Sequence, residues 1–507
     1  MKKMKKITRL ICIMLALLLF WALVSCAKEA ADNKTGEDKS ENGDENSADA
    51  GENSPDSDKK ADKWAQEPIN LPDEDFGGRE FNVITVQTTD ERRMYDRFAP
   101  EEQNAEPIID ALYKRRLAIE ERYNVAVNEI QVASPWDTAR KSILAGDLLY
   151  DLIVAPISNM KDLASQSLLS DIYTTPYISA DLDKPWWDQR LKRDLSINGK
   201  LYFQAGNIVL RDKLRVSCLY FNKDMFKELD VEYPYQYVYA GTWTIDKLME
   251  ISKGVNADLD GNGIMDQYDR WGFMSQYEFA LHLFEGSGEK MIGLDSNGVP
   301  EITINTPRAL DVIQKALAVC IEPEAMFHAD GIKGASDVWA TASEYFQEDR
   351  FMIRASVFEA VPRDLRAMPA DFGVLPTPKY NEQQENYYTY VEGSGLVIGI
   401  PTNADLEYSG LITEALAYES GSTLMPAFYD LCLTSKVLRD DESEGMLDIM
   451  FDNRVYDIGY IYQIGGVNSL FSSLVQSKSA DFVSAYEKKA GSIEKALEKF
   501  IDTYDKN

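Results

Sequence analysis

Residues 79–86 (REFNVITV) alternate polar and apolar positions and predict a strand, because side chains two apart share one face of a pleated ribbon. The period then changes. Residues 108–123 (IIDALYKRRLAIEERY) carry apolar side chains at helical spacing and stop before a second strand at 125–127. A helix at 137–144, a short apolar strand at 150–155 and a helix at 160–169 continue the alternation. Further on, the pattern predicts a strand at 214–222 leading into a helix at 223–229, and a helix at 245–254 opened by Thr244 as N-cap. Another helix is expected at 309–321, strands at 351–353, 372–375 and 395–400, and helices at 406–418 and 493–504. Strands alternating with helices imply an α/β fold built on parallel, helix-flanked sheet. No solenoid period recurs.

The first 25 residues follow a different rule. Lys2, Lys3, Lys5, Lys6 and Arg9 precede an apolar run, 10–24, that is too short for a comfortable membrane span. The run ends in Leu23-Val24-Ser25-Cys26, which resembles the bacterial lipobox. That resemblance implies that residues 1–25 are a signal peptide and that Cys26 receives a diacylglyceryl thioether. Residues 26–65 are rich in Asp, Glu, Asn, Ser and Gly, with almost nothing apolar to bury, and predict a flexible acidic linker.

Composition narrows the function. A chain of 507 residues that is 45% hydrophobic can fill more than one lobe. A formal net charge of -31 repels nucleic-acid phosphates and anionic lipid surfaces, so no nucleic-acid partner is expected and membrane contact should run through the lipid alone. With Cys26 assigned, Cys218, Cys320 and Cys432 form no CxxC and predict buried free thiols. His282 and His328 are the only histidines, which argues against a zinc centre or a Ser-His-Asp triad. The chain also has no GxSxG, P-loop or GxGxxG motif, so no enzyme is expected.

Several segments together, in order and in register, resemble the extracellular solute-binding proteins of ABC importers, family 1, the maltose-binding-like sugar binders. They are Tyr150-Asp151-Leu152-Ile153-Val154 with Leu168-Leu169-Ser170-Asp171-Ile172, and Gly199-Lys200-Leu201-Tyr202-Phe203 with Leu219-Tyr220-Phe221-Asn222-Lys223-Asp224. Gly241-Thr242-Trp243-Thr244-Ile245-Asp246-Lys247-Leu248 is the third, and Phe372-Gly373-Val374-Leu375-Pro376-Thr377-Pro378-Lys379 with Gly393-Ser394-Gly395-Leu396-Val397-Ile398 the last. The likeness covers most of 78–420 and fades after about Gly421. It implies a two-lobed periplasmic-binding-protein-like fold of type II. Lobe 1 would hold 66–213 and about 392–430, lobe 2 would hold 217–388 and about 431–507, and hinges would lie near 213–217 and 388–393. It further implies a monomer on the outer face of the cell membrane that closes on a small-molecule solute and is read by ABC permease subunits. A saccharide is the expected solute, and the family branch favours an oligosaccharide. A peptide or other polar solute, a sensor role and an extracellular carbohydrate-active enzyme are the alternatives.

Ligands of open α/β lobes sit beyond the carboxyl ends of strands. This points to Thr88 and Asp90 after the first strand and to Ser158 and Asn159 after the strand at 150–155. Trp187, in the polar stretch DKPWWDQR, is the expected stacking face for a sugar ring. Arg211, Asp212 and Glu392 flank the expected hinges, and the family pattern places Gln276 and Tyr277 in the inward loop of the second lobe. Trp243 and Trp271 are expected in the core. Finally, residues 258–269 (DLDGNGIMDQYD) match a calcium loop. Asp258, Asp260, Asn262, the Ile264 carbonyl, Asp266 and Asp269 stand at the ligand positions and Gly263 at the turn. Aspartate replaces the usual glutamate at the last position. A structural calcium is the expected cofactor.

Overall fold

The computed structural model describes Trp64 and residues 66–366, 368–434 and 441–506. The expected signal peptide and Cys26 lie outside the described residues, as does the expected linker apart from Trp64. No helix among the described residues is long and apolar enough to cross a membrane.

Nine strands among the described residues make the two larger sheets. In chain order they are β1 (Arg79–Val86), β2 (Val125–Val132), β3 (Leu152–Pro156), β4 (Ser217–Asn222), β5 (Trp271–Ser275), β6 (Phe327–His328), β7 (Phe351–Val357), β8 (Phe372–Pro376) and β9 (Leu396–Gly399). The first sheet has the order β9-β3-β1-β2 and the second β8-β4-β7-β5-β6. β1 runs parallel to β2 over its full length, Arg79 opposite Val125 through Val86 opposite Val132, and parallel to β3. Helix Pro107–Tyr123 makes the crossover between β1 and β2. It starts on a proline whose missing N–H costs nothing at that position and stops at Asn124 in the left-handed region, φ 49°.

The expected purely parallel sheet is corrected in both lobes. β9 is antiparallel to β3, and β4 is antiparallel to both β7 and β8. The cause is topological: β4 and β9 are the strands entered by chain that has just crossed from the other sheet. The two crossings run side by side. Val216 bridges Val391 in antiparallel fashion, and the Glu392 N–H donates to the Arg215 carbonyl at 2.9 Å. β4 also begins later than its apolar run, because 211–214 form a helical turn first.

Each sheet buries its own apolar faces. Phe81, Val83, Leu152, Ile153 and Ile398 fill the first lobe, and Phe221, Trp243, Phe273, Phe284 and Ile313 the second, all fully buried. At about 1.5–3 kcal/mol per buried large side chain, these clusters hold the sheets rigid beneath their loops. The Trp243 indole donates to the Pro376 carbonyl at 2.9 Å and the Trp271 indole to the Asp266 carbonyl at 2.8 Å. Cys218, Cys320 and Cys432 are buried free thiols.

Beyond Gly421 the chain serves both lobes. Helix Leu424–Thr434 packs on Pro107–Tyr123, Asp441–Asp452 packs beside β8, and Ser469–Gln476 packs on Phe279–Gly286 and Pro307–Ile321.

Candidate functional site

A cleft of about 300 Å³ opens where both sheets and both crossings meet. The first lobe contributes Arg93, from the turn Glu91–Asp96 that follows β1. The second contributes Gln276 after β5, Glu359 after β7, and Trp339. The crossings contribute Arg215 and Glu392.

Glu359 is the centre of this arrangement. The N–H groups of Phe358 and Glu359 donate to Val216 and Leu214 carbonyls, at 3.0 and 2.7 Å, which stitches the end of β7 to the first crossing. The Glu359 carboxylate receives the Tyr95 hydroxyl at 2.6 Å, Arg215 at 2.8 Å, Arg363 at 3.3 Å and Arg93 at 3.7 Å. Burial pushes this carboxyl up, but Arg215, Arg211 and the Tyr95 hydroxyl outweigh it and hold the group below its usual value. A second link between the lobes lies alongside, Arg92 to Asp364 at 3.2 Å. Together they form a strap between the turn Glu91–Asp96 and the segment 359–364.

Trp339 lies in helix Val338–Gln347, whose N-cap Asp337 accepts the Trp339 and Ala340 N–H groups at 3.0 and 3.1 Å. At 44% relative exposure it is the only exposed tryptophan among the described residues, and it lines the cleft. Neither Trp339 nor Glu359 stood out in the sequence. A well-capped helix start at Asp337 was the one local signal for the former.

The expected residues divide. Gln276 and Glu392 line the cleft, and Glu392 pairs with Arg215 at 3.2 Å and accepts from the Ser394 hydroxyl. Thr88 and Asp90 line a separate groove of about 570 Å³ made only by first-lobe residues. There Asp90 caps the turn, accepting the Arg92 N–H at 3.0 Å and its guanidinium at 2.9 Å, which lowers its pKa. Ser158 and Asn159 are half-buried, and the Ser158 N–H donates to the Gly393 carbonyl at 2.9 Å. The Tyr277 ring packs on His328, centroids 5.0 Å apart, rather than on the cleft.

Three expectations are corrected. Trp187 is 2% exposed and offers no face to a solute. Its indole and that of Trp186 donate to the two oxygens of one buried carboxylate, Glu414, at 2.9 and 2.6 Å. Burial pushes Glu414 up to about 8 against the pull of those donors. Arg211 is buried against Asp96 at 3.1 Å. Asp212 is buried between Lys213, at 3.2 Å, and Arg454, at 2.8 Å, and Arg454 also holds Asp188 at 3.1 Å. Both serve the framework behind the crossings.

In the loop 258–269, carboxylate oxygens of Asp258, Asp260 and Asp269 lie within 4.8 Å of one another. Gly261 and Gly263 take φ of 72° and 79°, which L side chains rarely adopt, and their N–H groups donate to Asp258 at 2.7 and 2.8 Å. The Gly263 N–H is foremost among the donors that lower the Asp258 pKa. The Asp266 carboxylate accepts from the Tyr268 N–H, and Asn262 accepts from the Ile264 N–H.

No protein-family profile matches the sequence, and no curated protein aligns with it. Solved structures do match. A cyclo/maltodextrin-binding protein complexed with maltotetraose is 16% identical, with 87% of this chain and 98% of its own covered, at a TM-score of 0.52. UspC of M. tuberculosis is 13% identical, with 82% and 99% covered, at a TM-score of 0.53. The chain has the two-lobed, periplasmic-binding-type fold. At these identities the likeness is one of architecture, and the 300 Å³ cleft is lined by residues of both lobes.

Proposed function

We propose that this protein captures a saccharide in the cleft between its lobes and releases it unchanged to an ABC-type importer. It works outside the cell as a monomer, held to the membrane by lipid on Cys26. The observation that carries this reading is the makeup of the cleft, which combines an exposed indole, Trp339, with donors and acceptors from both lobes and from both crossings. An apolar ring face stacks on indole while hydroxyls pair with guanidinium and carboxylate groups. The matched fold supports it, since the cyclo/maltodextrin-binding protein holds maltotetraose.

The test is thermal unfolding against mono- and oligosaccharides and short peptides, with the panel analysed chemically afterwards. A saccharide at one hundred times its Kd stabilises the fold by about 2.7 kcal/mol and is recovered intact. A shift by peptides alone overturns the saccharide, and turnover of any panel member overturns capture. Loss of uptake on deletion of the chain separates import from sensing.

The loop 258–269 is proposed to hold calcium as a brace on the second lobe. Six oxygens from Asp258, Asp260, Asn262, Ile264, Asp266 and Asp269 are the donor set, of which three carboxylates already converge. Chelator should lower the unfolding midpoint, calcium should restore it, and Asp260→Asn should abolish the difference. An unchanged midpoint rejects the brace.

A further inference from the structure

The cleft's charges balance, and its volume is small. Arg93, Arg215 and Arg363 face Glu278, Glu359 and Glu392 around it, equal in number and opposite in sign. Arg215 bridges two of those carboxylates, 2.8 Å from Glu359 and 3.2 Å from Glu392. A hydroxyl both donates and accepts, so adjacent guanidinium and carboxylate groups satisfy it completely. An added carboxylate on the solute would meet Glu359 or Glu392, and an added ammonium would meet Arg93 or Arg215. Either would leave a desolvated charge without a net partner. Space is limited in the same way. At about 300 Å³ the cleft is at the small end of ligand sites, which run from ~300 to ~1,000 Å³. The Arg215–Glu392 pair lines it at the crossings, and the Arg363–Glu359 pair lines it on the second lobe.

We propose that the solute is a neutral, polyhydroxylated molecule of one or two sugar rings. Its ring face stacks on Trp339, and its hydroxyls are read by the Arg215–Glu392 and Arg363–Glu359 pairs. Long oligosaccharides and charged sugars are excluded. This inference rests on the capture reading and narrows it.

Calorimetric titration of the full-length protein tests it with three series: neutral hexoses and disaccharides, their uronate and amino-sugar counterparts, and linear oligomers of four rings or more. The expected result is a neutral mono- or disaccharide bound about tenfold or more tighter than either charged counterpart and than any oligomer. Trp339→Ala should weaken it about 3- to 10-fold, and Trp339→Phe should recover part of the loss. Tightest binding of a uronate or an amino sugar overturns neutrality. Tightest binding of an oligomer overturns the size limit while leaving capture of sugar standing. Binding by no member of the three series overturns the inference together with the capture reading.

Discussion

The paired tryptophans give the sharpest stability prediction. Two indole N–H groups converge on Glu414 at 2.6 and 2.9 Å in a buried setting, and burial pushes its carboxyl from the ordinary 4.5 up to about 8. The folded state therefore keeps a proton that the unfolded chain releases. The sign follows: stability is full below about pH 4.5 and falls as pH rises toward 8. With 1.36 kcal/mol per pKa unit, the contribution lost between pH 5 and pH 8 is about 3–4 kcal/mol. Glu414→Gln removes the titration but keeps one carbonyl oxygen for an indole, while its amide N–H₂ faces the other. Urea unfolding of both proteins at half-unit steps of pH reads the difference. The wild-type curve should fall by that amount relative to the variant. A difference that stays constant across the range would mean that Glu414 is ionised throughout, that the indole donors outweigh burial, and that the reasoning fails.

Other outcomes follow from the same physics. Glu359, held below its usual pKa, contributes stability above that range and loses it as pH falls through it. Glu359→Gln should therefore flatten the acid limb and cost about 2–4 kcal/mol, because four arginines lose a shared partner; a variant with the wild-type acid limb contradicts this. Gly206→Ala would set a Cβ 2.1 Å from the Trp186 carbonyl oxygen, and about 1–3 kcal/mol should be lost in urea titrations. Trp187→Phe should leave saccharide affinity unchanged while lowering stability by about 1–3 kcal/mol, since Trp187 touches Glu414 and not the cleft.

What could be read from the chain, and what could not, divides by range of contact. β1 at Arg79–Val86 and helix Pro307–Ile321 follow from periodicity, because each buries one face and its pattern is local. The two crossings pair through a long-range contact, Val216 opposite Val391, which no local pattern encodes. The site was less legible. Trp187 has polar neighbours in sequence, which suggested exposure, yet its partner Glu414 is 227 positions away. Glu359 is a lone glutamate in VFEAV, and its significance appears only when Arg93, Arg211, Arg215 and Arg363 are folded around it. Arg211 and Asp212 flank a crossing, where a charge can either touch solute or lock the framework, and local sequence does not say which. Here Asp96 and Arg454 draw them inward. Trp339 belongs to a helix that buries Ala342, Ser343 and Phe346, and the Asp337 cap marks the start of that helix without marking the exposed indole.

The most direct test of the central claim is a crystal structure of the protein grown with the saccharide that shifts its unfolding furthest. The account predicts an intact ring between Trp339 and the Arg215–Glu392 pair, with hydroxyls on Gln276 and Glu359. A sugar seated instead in the Thr88–Asp90 groove, or one whose glycosidic bond has been cut, would contradict it.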